Sequence, residues 1–185
     1  QVSGQFKRSR TFLEKRGHIL RQGFVIYSDQ NKNEKQVILM AAGVYLVEDE
    51  EWIRKGIKKM IRCDELDLVL LGEAEDGLTA RDEILKLRPQ IIISDIRIPR
   101  LDGLALVREV SSAYPAKTIF ISGYREFEYA RQAIELEAVS YILKPIDAGE
   151  LNRILRQTVQ TLTKEQKSVR EADYGKAAFL LDVLD

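Results

Sequence analysis

A single cysteine, Cys63, and a single histidine, His18, are the only thiol and imidazole groups in the 185 residues. An internal disulfide is therefore excluded, and so is a zinc centre assembled from cysteine and histidine. No apolar run reaches the roughly eighteen residues of a membrane span, and the opening QVSGQFKRSRTFLEKRG lacks the apolar stretch of a signal peptide. These absences lead to the expectation of a cytoplasmic chain without membrane association. Net charge is missing too, since 29 Lys and Arg balance 29 Asp and Glu, yet the balance is uneven along the chain. Residues 1–39 hold eight basic against three acidic residues, and residues 40–185 hold 21 against 26. The acidic body lacks the broad basic face of a stand-alone nucleic-acid binder. Hydrophobic residues make up 45% of the chain, enough to bury a core, which excludes a disordered or collagenous polymer.

From Val44 onward five short apolar runs follow one another: VYLV, DLVLL, QIIIS, KTIFIS and VSYIL. Their near-continuous hydrophobicity suits strands covered on both faces, as in a parallel sheet. Amphipathic stretches of helical length separate them: EEWIRKGIKKMI, GLTARDEILKL, LALVREVSSA and EFEYARQAIEL. In the first of these, Trp52, Ile53, Ile57, Met60 and Ile61 recur at helical spacing. Five strand-helix units with right-handed crossovers predict an α/β fold, a doubly wound five-stranded parallel sheet of order 2-1-3-4-5 with helices on both faces.

The last helix is expected near Asp147, with Leu151, Ile154, Leu155, Val159 and Leu162 as a core-facing stripe. A heptad through Leu151, Leu155, Leu162 and Val169 is the alternative, interrupted by the polar Thr158 and Glu165. The expected organisation is a sparsely packed extension over residues 1–42, a domain over 43–162, and the start of a helical linker over 163–185. Gly4, Gly17 and Gly23 break the helical pattern of the extension. Codons for Gln36-Val37-Ile38 can embed a ribosome-binding sequence, which makes Met40 an alternative start.

Four features fall at strand ends: Glu48-Asp49 after the first strand, Asp95 after the third, Ser122-Gly123 after the fourth and Lys144-Pro145 after the fifth. In the expected strand order they converge on one pocket. Three carboxylates so close repel one another, and the cluster makes sense around a hard divalent cation, Mg²⁺. Phosphoryl transfer needs an in-line nucleophile and positive charge around the phosphoryl oxygens. Asp95 fits the nucleophile that becomes an acyl phosphate, Lys144 and Mg²⁺ the neutralising charges, and Ser122 a hydrogen-bond donor. Taken singly, Asp95 reads as a helix cap, Lys144 as a surface charge and Ser122 as a turn residue; only their joint placement at strand ends argues for a site.

The segment from Val44 to about Leu162 resembles the receiver domain of two-component response regulators, a flavodoxin-like fold. The motifs that carry the likeness are VEDE with Glu48 and Asp49, SDIRIPRLDG around Asp95, ISGYREFEYA from Ser122, and YILKP with Tyr141 and Lys144. The resemblance implies phosphorylation of Asp95 by a phosphohistidine on a sensor histidine kinase. It implies Mg²⁺ held by Asp49, Asp95 and the backbone carbonyl of Arg97, with Glu48 acting through a water. It also implies a switch in which Ser122 and Tyr141 rearrange, and a homodimer through the surface of the fourth helix, fifth strand and fifth helix. Glu48 replaces the commoner Asp and Ser122 the commoner Thr; both keep the needed functional group. DIRIPRLDGL with SGYREFEYARQAI is similar to receivers fused to an AraC-type helix-turn-helix output domain. No such domain lies in these residues, so DNA binding and transcription control are implied only for a longer parent protein. The alternative is a stand-alone or relay receiver acting through protein partners.

An enzyme reading, a phosphatase of the haloacid dehalogenase type, needs a second Asp two residues after the nucleophile, where Arg97 stands. The chain is thus expected to be a phosphoacceptor switch that catalyses only its own phosphoryl transfer. A dinucleotide-binding reading needs a Gly-rich first turn, where EDEEW stands. Gly103 reads as turn punctuation and His18 as a surface residue. Arg97 and Tyr124 are expected to flank the path of hydrolytic water and to lengthen the life of the phosphoryl group.

Overall fold

The computed structural model describes residues 19–21, 24–27, 39–123 and 127–182, with side chains over 41–123 and 127–168. Strand β3 (Leu39–Val47) is the centre of the sheet. It pairs in parallel with β4 (Leu68–Ala74) on one edge and β5 (Ile91–Asp95) on the other. Beyond β5 come β6 (Lys117–Ser122) and β7 (Ser140–Leu143), again parallel. The order β4-β3-β5-β6-β7 is the expected 2-1-3-4-5, a flavodoxin-like arrangement.

The beginning of the sheet differs from expectation. β3 starts at Leu39, five residues before Val44, and its first half pairs antiparallel with β2 (Phe24–Tyr27), which pairs with β1 (Ile19–Arg21). Residues 19–21 and 24–27 thus add two strands ahead of the five expected ones; the rest of the chain up to residue 38, His18 included, lies outside the described residues. Leu39 to Ala42 simply prolong the apolar run of the central strand. Phe24-Val25-Ile26-Tyr27 is rich in strand-favouring side chains but too short to show a period.

Alternation along the strands sends side chains to two faces. On one, Val44, Leu46, Ile91, Ile93, Ile119 and Ile121 pack under Ile57 of α1 (Glu51–Met60) and Leu151, Ile154 and Leu155 of α6 (Ala148–Asp182). On the other, Tyr45, Val47 and Ile92 meet Ala80 and Ile84 of α3 (Gly77–Leu87) and Leu106 and Val110 of α4 (Gly103–Ser111). Phe120 and Ile96 pack with Leu104, Val107 and Ala133 of α5 (Phe127–Glu135) beside them. A short α2 (Cys63–Leu66) closes the turn before β4. In β5, Ile91, Ile92 and Ile93 are all fully buried, each gaining about 2 kcal/mol on leaving water. The local signals agree with this layering. Asp76 caps α3 by accepting from the Thr79 amide, Asp102 caps α4 by accepting from the Ala105 amide, and Arg88 ends α3 in the left-handed region just before Pro89.

Trp52 was expected in the apolar stripe of α1, but it is 72% exposed. Ile53 and Ile57 stand one turn apart on the core side, and Trp52 points off that stripe on the side of Lys55 and Lys59. In α6 Leu151 and Leu155 are fully buried in the chain's own core, so those two positions are not a free seam for a coiled coil. Thr158, which interrupts the heptad, is also buried and donates its hydroxyl to the Ile154 carbonyl at 2.8 Å. From Thr163 to Ser168 α6 is mostly exposed, and its backbone remains helical to Asp182. Among the described residues no helix is long and apolar enough to cross a membrane.

Candidate functional site

Parallel strands point their carboxyl ends the same way, so the residues just past β3, β5, β6 and β7 share one rim of the sheet. Glu48 follows β3 directly and is fully buried, whereas Asp49 beside it is exposed. Asp95 closes β5 and is buried, and Ser122 closes β6, fully buried. Lys144 follows β7 and reaches across: its Nζ lies 2.6 Å from Asp95 Oδ2 and 2.9 and 3.1 Å from the two oxygens of Glu48. The other Asp95 oxygen, Oδ1, accepts the backbone N–H of Arg97 at 3.1 Å. One carboxylate oxygen from each of Glu48, Asp49 and Asp95 lies within 4.8 Å of the others.

The rim is held by backbone approach as much as by side chains. The Lys144 amide donates to the Ser122 carbonyl at 2.8 Å, and the Ile96 amide to the Ile121 carbonyl at 3.2 Å, continuing the ladder past the strand ends. After Asp95 the chain folds back so tightly that Gly103 donates to the Ile96 carbonyl at 2.9 Å. A Cβ on Gly103 would lie 2.1 Å from the Asp95 carbonyl oxygen. Gly103 is therefore more than turn punctuation: there is no room for a side chain behind the Asp95 carbonyl. The same loop is tied to α3, where Arg100 pairs with Asp76 and donates to Thr79 Oγ1 at 2.7 Å.

Charge in the pocket is unbalanced: three carboxylates face one ammonium group. Burial pushes the Glu48 carboxyl from an ordinary 4.5 up to about 7, the Asp95 charge adds to the rise, and Lys144 only partly opposes it. Burial disfavours the Lys144 charge, but its bonds to Asp95 and Glu48 outweigh this and hold its pKa above the ordinary value. Glu48 Oε2 is buried and makes no hydrogen bond, its cationic neighbour being Lys144 Nζ at 2.9 Å. Three carboxylates that share a single ammonium group and bring one oxygen each within 4.8 Å are a set of hard oxygen donors short of positive charge, which fits Mg²⁺.

Of the expected site residues, Glu48, Asp49, Asp95 and Lys144 come together, with Ser122 at the adjoining strand end. Tyr141 stands apart from them, in the middle of β7 opposite Phe120. It packs on the cluster of Ile96, Leu104, Val107, Phe120 and Ala133. Arg97 projects from the loop after Asp95, its Nε donating to the Tyr129 hydroxyl at 3.2 Å and its guanidinium 5.6 Å from that ring's centre. Tyr124 lies outside the described residues. Two neighbours were missed from sequence: Tyr129, and Arg54, whose guanidinium donates to the Glu48 carbonyl at 2.5 Å. Tyr129 lies within the ISGYREFEYA motif but no role attached to it there, Arg54 belongs to no motif, and both contacts depend on how the chain folds back.

Residues 44–156 match the family described as the response regulator receiver domain. The transcriptional regulatory protein YesN of Bacillus subtilis is 32% identical over 123 residues, which are 66% of this chain and 33% of YesN. The transcriptional regulatory protein HptR of Staphylococcus aureus is 33% identical over 123 residues, 66% of this chain and 48% of HptR. The chain thus spans a third to a half of these curated relatives. Among solved structures, the REC domain of AraT, a response regulator from Geobacillus stearothermophilus, superposes with a TM-score of 0.65 at 34% identity, covering 69% of this chain and 99% of that one. A two component transcriptional regulator AraC from Clostridium phytofermentans gives 0.61 at 33% identity, covering 69% and 99%. A doubly wound sheet with this acidic rim, matched over more than half its length, makes the chain a member of the response regulator receiver domain family.

Proposed function

We propose that the chain is a phosphorylation-dependent switch that takes a phosphoryl group onto Asp95 from a phosphohistidine of a sensor histidine kinase in the cytoplasm. The observation that carries this reading is the clasped carboxylate: Asp95 is held by Lys144 Nζ on one oxygen and the Arg97 amide on the other, at the mouth of an acidic rim. An Asp95 oxygen attacks phosphorus in line, the P–N bond breaks, and the imidazole leaves with the bond's electron pair. Lys144 neutralises one phosphoryl oxygen, and the Ser122 hydroxyl donates to another. Mg²⁺, held by Asp49, Asp95, the Arg97 carbonyl and, through a water, Glu48, would supply the remaining positive charge. The chain is a phosphoacceptor that catalyses its own phosphorylation and turns over no other substrate.

The switch runs from Ser122, drawn toward the phosphoryl group, to Tyr141, which turns inward behind it. What supports this route is the packing of Ile96, next to Asp95, in the same cluster as Phe120 and the half-buried Tyr141. The surface that changes is that of α5, β7 and α6, where a second copy of the chain docks. In a longer parent protein the signal passes along α6 to an AraC-type output domain that binds DNA and regulates transcription. The helical backbone that continues to Asp182 favours this over a relay receiver. The test is incubation with acetyl phosphate and Mg²⁺: the wild type gains one phosphoryl group by intact mass and Asp95→Asn gains none. Full labelling of Asp95→Asn overturns the site.

A further inference from the structure

The acidic turn at the end of β3 is fastened from behind. Arg54, in the first turn of α1, is nearly buried, with 12% of its side chain exposed. Its Nη1 donates to the Glu48 carbonyl at 2.5 Å and lies 3.3 Å from the Asp49 carbonyl. Both carbonyls precede the first helical one, that of Glu50, which accepts the Arg54 amide at 2.9 Å. Arg54 therefore ties the two residues that carry the acidic side chains to the helix that follows them, while its Nη2 stays 3.9 Å from the exposed Glu75. We propose that Arg54 is a positioning residue for the divalent cation: by holding the Glu48 and Asp49 carbonyls it fixes where their carboxylates project.

This inference rests on the Mg²⁺ reading of the site and adds a sign to it. As a bare charge, Arg54 repels a cation, so removing it would tighten binding. As a backbone fastener it organises the donors, so removing it weakens binding. Outer partners that orient metal ligands commonly matter by about 10 to 100-fold in affinity, and because the two roles predict opposite signs, the direction of the change decides between them. Both contacts run from Nη1, while the planar guanidinium turns its second nitrogen toward Glu75, an orientation that an ammonium group on a flexible stem does not fix.

Trp52 is the chain's one tryptophan, and its indole N–H donates to Glu50 at 3.0 Å, next to the acidic turn. Its fluorescence reports that turn while Mg²⁺ alone is titrated into the full chain, with isothermal calorimetry as the second readout. Arg54→Met is expected to bind at least about tenfold more weakly and Arg54→Lys to fall in between, with Glu75→Gln unchanged. Urea unfolding without metal shows whether each variant is folded. Tighter or unchanged binding by Arg54→Met overturns the proposal, as does equal weakening by Glu75→Gln, which would assign the effect to the contact between loops. If Arg54→Met does not fold, Arg54→Lys decides, and wild-type affinity there refutes it. A wild type with no saturable Mg²⁺ binding by either readout sinks the Mg²⁺ reading itself, and the role of Arg54 with it.

Discussion

Without a cation the pocket works against the fold, and Glu48 shows by how much. Its carboxyl is pushed from an ordinary 4.5 to about 7 by burial, so between those values the folded chain binds the proton more tightly than the unfolded chain does. An acid with a raised folded pKa gives stability that is whole below the unfolded value and is lost as pH climbs through the folded one. The rise of about 2.5 units corresponds to roughly 3 kcal/mol lost between pH 4.5 and 7, with nothing further lost from this group above that. Urea unfolding in EDTA across this range, on wild type and Glu48→Gln, isolates the effect, because the difference cancels every titration the two share. Glu48→Gln is expected to equal or trail the wild type at pH 4.5 and to exceed it by about 2–3 kcal/mol at pH 8. Lys144 does not intrude: its raised pKa gives stability that is whole below its ordinary 10.5 and fades only above it. Added Mg²⁺ should reverse the order at pH 8 by stabilising the wild type more than the variant. A wild-type stability that rises from pH 5 to 8 relative to Glu48→Gln would refute the reasoning.

Three further outcomes follow from neighbouring contacts. Gly103→Ala places a Cβ 2.1 Å from the Asp95 carbonyl and should destabilise the chain by about 2–3 kcal/mol while slowing acetyl phosphate labelling; wild-type stability in urea would count against the close approach. Burial works against the Asp76 charge, but bonds from Arg100 and Thr79 hold its pKa down at about 2, so its contribution is whole above an ordinary 3.8 and disappears as pH falls to about 2. Screened by the half-exposed Arg100, that contribution is about 1–2 kcal/mol, and Asp76→Ala should lose it together with the α3 cap; identical acid unfolding of wild type and variant refutes it. The phosphoryl group on Asp95 should outlast seconds and hydrolyse faster in Arg97→Ala, as followed by phosphate release after donor removal, because Arg97 stacked on Tyr129 narrows the approach of water. Loss within seconds from the wild type refutes that shielding.

What could be read from the sequence is what local chemistry alone decides. Ile91 to Ile93 read as a strand buried on both faces, and Asp95 at its end gains its meaning only beside Glu48-Asp49 and Lys144 at the neighbouring strand ends. The number of strands followed from counting such runs, while their order was that of one of the two common doubly wound arrangements. β1 and β2 escaped because three and four residues show no period. Trp52 was misplaced because helical spacing alone admits it beside Ile53, while the core takes only the side that Ile57 faces. Gly103 and Arg54 stayed hidden for one reason: their roles depend on atoms brought close by folding, the Asp95 carbonyl in one case and the Glu48 and Asp49 carbonyls in the other. Thr158 looked like a flaw in a seam. In the structure its hydroxyl is satisfied within its own helix, which is how a polar residue sits in a buried stripe without penalty.

The way α6 is anchored limits how a change at the rim can travel. Asp147 caps the helix by accepting the Glu150 amide at 2.7 Å, three residues after Lys144. Asn152 then donates to the Met60 carbonyl, an orphan at the end of α1, at 2.8 Å and accepts the Arg62 amide just beyond it at 2.9 Å. With Leu151, Ile154 and Leu155 in the core, the first half of α6 is part of the same packed body as β7 and α1. Lys117 at the start of β6 pairs with Glu165 at 2.8 Å, beyond the last core contact at Leu162. A helix held this way has little slack against the sheet, so the proposed rearrangement at Lys144 and Ser122 would be transmitted as a change in the surface shared by α5, β7 and α6 rather than as bending of α6 itself. On the proposed reading, the pairing of two such surfaces, and not the flexing of the linker, would be the step on which an output domain at the far end of α6 depends.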